Sequence, residues 1–355
     1  ASPGGGATPA GRATSAAVPA DEQPARATAT AAAARRAVGR RSEVRPREMV
    51  CPGTRTGRPS NQRSPRFSDS TRTDRMTHSS TVALGSPTHC FVEQYTDLVY
   101  SQFRDGALFA GGRQLHFDLL KPVTATPTPL VVFIKGGGFR NVHRARYVPA
   151  LVALAERGVA VASVEYRTSN EARFPAPVDD VREALRFLRA HADEFNLDPG
   201  AVALWGNSAG ATIATIVGAS APSEPERVCA VASWYGMHDP LRSPELRAPG
   251  SPLYTAFGAP GADGSRWFRP ADHITAESAP TFLLHGTADQ VVPVEQSLSL
   301  AATLAEQGVP HEFMLVDGGH HDFAEMSTRT DALTRTYGFL HGHLLARVER
   351  HGTSE

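Results

Sequence analysis

The chain has 355 residues, in which 36 lysine and arginine side chains balance 36 aspartate and glutamate side chains. Without net charge, the chain lacks the basic field expected of a nucleic-acid-binding protein or of one that binds acidic membrane surfaces. No run of about 18 apolar residues is present, which argues against a membrane-spanning helix. Three scattered cysteines, Cys51, Cys90 and Cys229, fit neither a disulfide framework nor a zinc site, so we expect unpaired thiols.

Residues 1–80 differ in composition from the rest of the chain. They carry 14 arginines against 6 acidic residues and contain neither leucine nor isoleucine. Such a segment has too little apolar surface to offset the entropy lost on ordering, so we predict a disordered leader. Met76 is the favoured natural start and Met49 a second one, although an arginine-rich leader also fits an organellar transit peptide or a weakly anion-binding tail.

Residues 81–355 are sufficient for one large catalytic domain. We expect it to be cytoplasmic, or organellar or exported if the leader is native. Short β-branched runs alternate with helical patterns, which is typical of an α/β fold with a mostly parallel sheet and helices on both faces. The first two strands, 97–103 and 114–120, are separated by Asp-Gly and Gly-Gly turns and predict an antiparallel entry.

The remaining elements follow in order. Apolar runs predict strands at 130–134, 159–166, 201–205, 228–235, 281–285 and 312–316. Helical periodicity predicts helices at 147–157, 178–195, 211–217, 295–307 and 330–348. Residues 236–280 are rich in Pro, Gly and Ser and lack periodicity, so they are predicted to form an inserted loop or small lid.

A Gly-x-Ser-x-Gly motif, residues 206–210, stands between a predicted strand and a predicted helix. In that setting the serine occupies a sharp turn that exposes its hydroxyl, and flanking glycines let the backbone turn without Cβ clashes. Ser208 is therefore the candidate nucleophile. The alternative is a serine that only caps the helix, and the strand-turn-helix context disfavours it.

A serine hydroxyl needs a base and an orienting carboxylate, which in this kind of fold follow in loops after later strands. Asp289 follows the strand at 281–285, and His320 and His321 follow the strand at 312–316. The Gly318-Gly319 turn favours His320 as the base, with His321 as the alternative. Asp239 and Asp322 are rival carboxylates whose expected role is turn capping.

A tetrahedral intermediate needs amide donors for its oxyanion. Residues 135–139, Lys-Gly-Gly-Gly-Phe, follow a predicted central strand, and a loop without side chains lets backbone amides approach a ligand. The amides of Gly137, Gly138 and Ala209 are therefore the predicted oxyanion hole.

Taken together, these motifs resemble esterases of the α/β-hydrolase fold, of the hormone-sensitive-lipase type and the neighbouring acyl-esterase and ferulic-acid-esterase-like branch. The likeness extends over about residues 95–348 and is carried by residues 135–140, 162–167, 174–180, 204–210, 235–239, 285–289 and 319–320. It implies a triad of Ser208, Asp289 and His320.

Lys135 departs from that family, which usually has a histidine before the three glycines. Lysine is a cationic donor only, so it either anchors the loop through a salt bridge or adds positive charge near the oxyanion or an acidic substrate group. Lys135 is one of two lysines in the chain. Further candidate pocket walls are aromatic: Phe139, Trp234, Tyr235, Trp267 and Phe268.

These observations predict a serine carboxylesterase that hydrolyses small or short-chain esters through an acyl-enzyme. Amide or formamide hydrolysis, as in the similar kynurenine formamidases, and acyl transfer are the enzymatic alternatives. A ligand receptor on the same fold is the non-enzymatic one. The expected partner is a small-molecule ester, without metal, organic cofactor or nucleic acid, and a homodimer is possible.

Overall fold

The computed structural model describes the chain in eight segments. They are residues 91–103, 113–140, 143–220, 223–240, 243–244, 248–257, 269–323 and 326–352. The leader predicted at 1–80, and the candidate pocket residues Trp267 and Phe268, lie outside these segments. Within the described residues, no helix is both long and apolar enough to cross a bilayer.

The described strands form one eight-stranded sheet in the order β1-β2-β4-β3-β5-β6-β7-β8. Their bounds are β1 Val92–Phe103, β2 Arg113–Pro122, β3 Thr128–Ile134, β4 Ala160–Val164, β5 Leu197–Asn207, β6 Val231–Trp234, β7 Thr281–Gly286 and β8 His311–Val316. The strand β2 pairs antiparallel with β1 and β4, whereas the remaining pairs are parallel. The predicted antiparallel entry and parallel centre are confirmed.

Burial on both faces explains why the sequences of the central strands are continuous runs of mostly apolar residues. Every residue of β3, β4, β6 and β7 is buried, as expected when helices cover both faces of a parallel sheet. The edge strand β1 is only partly buried.

The described helices are α1 Val148–Ala155, α2 Ala176–Ala190, α3 Ala192–Phe195, α4 Ala209–Ala219, α5 Pro252–Phe257, α6 Glu295–Glu306 and α7 Met326–Gly352. One core joins Phe133, Trp205 and Trp234 of the sheet to Leu151 of α1 and Leu340 of α7. A second, smaller core joins β7 to α6. The helix α4 is buried along its whole length, which fixes its position directly after β5.

Two predicted helices differ from the observed ones. The helix predicted at 178–195 is interrupted at His191, which has non-helical dihedrals and separates α2 from α3. The helix predicted from 147 begins at Val148, and a 3-10 turn, Arg144–Tyr147, precedes it. That turn places Tyr147 beside the site described below.

The described parts of the predicted insertion contain α5 and a 3-10 turn, Pro270–His273. Residues 241–242, 245–247 and 258–268 lie outside the described segments. The lid therefore remains a prediction.

Helix α7 offers a matched test of the first core. Leu340 is completely buried, whereas Leu345 is 41% exposed. We expect Leu340→Ala to lower the free energy of unfolding by about 2–5 kcal/mol, because it removes buried methyl groups and leaves a cavity. Leu345→Ala should change it by less than about 1 kcal/mol. Urea denaturation monitored by circular dichroism measures both, and equal losses would contradict this packing.

Candidate active site

Ser208 occupies the turn between β5 and α4. Its backbone dihedrals, φ 50° and ψ −124°, lie in a region that residues with a side chain rarely adopt. Such a conformation costs about 1–3 kcal/mol and persists where the surrounding structure enforces it. Hydrogen bonds from the Ser208 amide to Trp234, and from the Ala211 amide to Ser208, hold the turn on both sides.

The turn depends on the absence of a side chain at Gly210. A Cβ atom there would lie far inside van der Waals contact with the carbonyl oxygen of Ile134, at the end of β3. Because this obstacle is backbone, it cannot move aside as a flexible side chain could. Only glycine lets α4 begin this close to the sheet.

A hydrogen-bonded line runs from Ser208 through a histidine to a carboxylate. The Ser208 Oγ lies 3.1 Å from Nε2 of His321, and Nδ1 of His321 lies 2.7 Å from Oδ2 of Asp289. The side chain of Asp289 is completely buried and that of His321 is 16% exposed. This order of groups can activate a hydroxyl, since one ring nitrogen accepts its proton while the other is held by the carboxylate.

The prediction that His320 faces Ser208 is wrong, because the structure places His321 there. His320 is exposed, and its Nδ1 lies 3.1 Å from the carbonyl oxygen of Ala288. The Ala288 amide also donates to the Gly319 carbonyl, so the first residues of the loop are tied to the β7 side. In the loop after β8, the residue that contacts Ser208 is therefore His321, one position after the histidine that the Gly318-Gly319 turn favours.

Asp289 lies after β7, as predicted, and is held by several donors. Its Oδ1 accepts hydrogen bonds from the amides of Val291 and Val292, and its Oδ2 lies 3.3 Å from Nε2 of the buried His285. Burial alone would raise the pKa of Asp289, but the hydrogen bonds from His285, His321 and Val292 outweigh it and hold the pKa well below its ordinary value. The carboxylate is therefore ionised and fixed in orientation.

The glycine loop lies directly against the serine turn. A Cβ at Gly136 would lie 2.5 Å from the Asn207 carbonyl oxygen and 2.8 Å from Cβ of Ser208. The amide of Gly136 donates to Oδ1 of Asn207 at 2.9 Å and is thereby used within the protein. Gly136, Gly137 and Gly138 all line the cavity in front of Ser208. Ala209 is completely buried as the first residue of α4.

A polar network links the glycine loop to the histidine loop. Nδ2 of Asn207 donates to the hydroxyls of Tyr147 at 2.9 Å and Tyr235 at 3.4 Å. Both hydroxyls donate in turn to Oδ1 of Asp322, at 2.8 and 3.2 Å. Burial, and then the charge of Asp322, raises the pKa of Tyr147 to about 12, so its hydroxyl keeps the proton that it donates.

The two rival carboxylates have other partners. Asp322 accepts a hydrogen bond from Arg146 at 3.1 Å, in addition to the two tyrosine hydroxyls. Asp239 is buried and pairs with Arg269 at 2.9 Å and with the Ser299 hydroxyl at 3.1 Å. Neither is the carboxylate that is hydrogen-bonded to Nδ1 of His321, which is Asp289.

The predicted aromatic pocket walls belong largely to the core. Phe139 is completely buried and packs edge-on against Phe174 and Phe257, with ring centroids 5.4 and 5.7 Å away. Trp234 is buried in the core that faces α1 and α7. Tyr235 is also buried, and its ring centroid lies 4.6 Å from that of His321, so Tyr235 packs against the His321 ring. Phe139, Trp234 and Tyr235 are therefore packing residues, and their prediction as pocket walls is wrong.

Lys135, a candidate pocket residue, lines the cavity that also contains Ser208 and His321. The cavity has a volume of about 320 Å³. The described residues that line it are Lys135, Gly136, Gly137, Gly138, Arg146, Tyr147, Asn207, Ser208, Met237, Val291, Val292, His321 and Asp322. No sequence pattern identifies Tyr147 or Arg146 as a residue of the site. Asn207 could have been identified, because it is the second residue of the Gly-x-Ser-x-Gly motif. Within the described residues, no group of three or more His, Cys, Asp or Glu side chains could hold a metal ion.

The chain is a member of the α/β-hydrolase superfamily. This follows from the sheet order, from the strained turn at Ser208 and from the hydrogen bonds that link Ser208 through His321 to Asp289. It is related to esterases of the hormone-sensitive-lipase type. More narrowly, the chain belongs to the BD-FAE family, which matches residues 117–304. The resemblance seen in the sequence is confirmed.

Two Mycobacterium tuberculosis (strain ATCC 25618 / H37Rv) proteins are similar to the chain. Esterase LipQ is 26% identical over 232 residues, which are 60% of this chain and 55% of LipQ. The probable carboxylic ester hydrolase LipM is 32% identical over 219 residues, 54% of this chain and 50% of LipM. The chain thus spans about half the length of these relatives.

Among solved structures, a truncated carbohydrate esterase from gut microbiota has a TM-score of 0.63 and 21% identity. The match covers 73% of this chain and 98% of that one. At this identity the likeness establishes the fold.

Two glycines give a matched test of the serine turn. We expect Gly210→Ala to destabilise the protein by more than about 3 kcal/mol, or to prevent folding, because its Cβ would meet backbone. Gly342→Ala, in α7 with nothing within 4 Å of the new Cβ, should instead stabilise it by about 0.5–1 kcal/mol. Thermal unfolding measures both, and a tolerated Gly210→Ala would refute the close approach to β3.

Proposed function

We propose that this protein is a serine carboxylesterase that hydrolyses small or short-chain carboxylic esters. The observation that carries the proposal is the hydrogen-bonded line of Ser208, His321 and Asp289 at the edge of a cavity. The named esterases among its relatives support it.

In the first step Ser208 attacks the ester carbonyl. Nε2 of His321, 3.1 Å from Oγ, accepts the hydroxyl proton, and the ionised Asp289 stabilises the imidazolium that forms. The same proton then passes to the leaving alcohol. An acyl group remains on Ser208.

The developing oxyanion would be bound by backbone amides of Gly137, Gly138 and Ala209. The support for this assignment is position: two of these residues line the cavity, and the third follows the serine at the start of α4. Gly136 serves a different purpose, since its amide on Asn207 holds the loop in place before substrate arrives. Donors that are already oriented need no reorganisation during the reaction.

Water completes the cycle by hydrolysing the acyl-enzyme. His321 now removes a proton from water, and the attack releases the acid and restores Ser208. The cavity volume of about 320 Å³ lies at the small end of ligand pockets and favours short acyl groups. Met237, Val291 and Val292 supply its apolar surface.

A series of p-nitrophenyl esters from acetate to laurate tests the function. We expect kcat/KM to be highest for acetate to butyrate and to fall for longer chains, because the cavity cannot enclose them. Ser208→Ala should remove at least about 10⁴-fold of the activity. Equal inactivity of wild type and Ser208→Ala on every ester would count against an esterase.

The adjacent histidines provide a matched pair for the assignment of the base. We expect His321→Ala to lower kcat by about 10⁴-fold or more, because among the described residues His321 is the hydrogen-bond partner of the Ser208 hydroxyl. His320→Ala removes only a bond to the Ala288 carbonyl and should lower kcat less than about tenfold. Steady-state kinetics with p-nitrophenyl acetate measures both. A larger loss in His320→Ala would reverse the assignment.

A further inference from the structure

The charges that line the catalytic cavity do not balance. Lys135 and Arg146 contribute two cations, whereas Asp322 contributes one carboxylate. The described lining residues therefore include one more cationic than anionic side chain; Asp289, whose carboxylate is hydrogen-bonded to His321, is not among them. This excess is local, because the whole chain has no net charge.

Asp322 is the one carboxylate among the described lining residues, and several donors already bind it. Asp322 accepts hydrogen bonds from Arg146, Tyr147 and Tyr235. The guanidinium of Arg146 has five N–H donors and a side chain that is 59% exposed, so it can also meet a ligand at the mouth of the cavity. Asp322 therefore positions Arg146 and leaves other N–H groups of its guanidinium available to a ligand.

Lys135 contributes the second cation of the cavity. Its side chain is 97% buried, and a buried cation loses hydration that its surroundings must replace. Burial, and then the charge of Arg146, lowers the pKa of Lys135, whereas the charge of Asp322 raises it. A neutral side chain at this position would avoid both the desolvation and the repulsion from Arg146. An anion bound in the cavity would interact favourably with both cations that line it.

Building on the proposed ester hydrolysis, we propose that the substrate is an ester whose acyl or alcohol part carries a carboxylate, which Lys135 and Arg146 recognise. Arginine binds carboxylates through paired N–H groups, and lysine acts as a point charge. The apolar residues Met237 and Val292 then face the uncharged part of a small substrate. A cavity of about 320 Å³ accommodates such a molecule.

Two pairs of esters of similar shape test the proposal and locate the carboxylate. Monoethyl succinate and ethyl levulinate differ by a carboxylate on the acyl side. Acetoxyacetate and acetoxyacetone differ by a carboxylate on the alcohol side. Titration of released acid at constant pH gives kcat/KM for each. We expect the anionic ester to exceed its neutral partner by about tenfold or more in at least one pair, equivalent to about 1.4 kcal/mol.

The variant Lys135→Met keeps the length of the side chain and removes its charge. We expect it to lower the ratio of anionic to neutral kcat/KM by about tenfold, and Arg146→Met to lower the same ratio. The ratio is informative even if Lys135→Met slows both esters, because a general effect on the glycine loop or the oxyanion cancels. Lys121→Met, which removes the other lysine from its pair with Glu93 at the sheet edge, should leave the ratio unchanged.

The outcomes separate this inference from the proposed function. If wild type hydrolyses the neutral ester as well as the anionic one in both pairs, or if Lys135→Met leaves the ratio unchanged, the carboxylate inference is overturned while the esterase stands. If none of the four esters is hydrolysed in a Ser208-dependent manner, the proposed function itself fails.

Discussion

The approach of Gly210 to the end of β3 is the constraint on which the site depends. Because no Cβ separates them, α4 begins against the carbonyl of Ile134, and the chain must turn sharply at Ser208. The turn forces Ser208 into positive φ and places it at the carboxyl end of the central strand β5. The same closeness brings Gly136 against Ser208, so the glycine loop and the nucleophile are positioned together.

The polar network extends this positioning to the third loop. Asp322 directly follows His321 in the chain and accepts hydrogen bonds from Tyr147 and Tyr235, which both contact Asn207. Asn207 in turn holds the amide of Gly136. The loop that carries His321 and the glycine loop therefore share one set of hydrogen bonds. A buried network of this kind rigidifies a site when its members are satisfied.

The sequence was sufficient where one physical requirement determines a local pattern. Parallel strands covered on both faces must be apolar, and a serine at a strand-to-helix turn needs adjacent glycines, so the sheet and the position of Ser208 were predictable. The choice between His320 and His321 was not, because it depends on how the loop is tied to Ala288. Phe139 and Trp234 were assigned to the pocket because a sequence does not distinguish an aromatic residue behind a site from one in front of it. Tyr147 precedes a helix, and only the folded chain brings it to Asn207.

Covalent labelling with a small alkyl fluorophosphonate tests the central claim, that the line from Asp289 to His321 activates Ser208. Such a reagent reacts with a serine whose hydroxyl a neighbouring base activates. Intact-mass and peptide mass spectrometry should show one adduct per chain, on Ser208, formed much more slowly in His321→Ala. An adduct on another residue, or labelling of Ser208 at an unchanged rate in His321→Ala, would contradict the account.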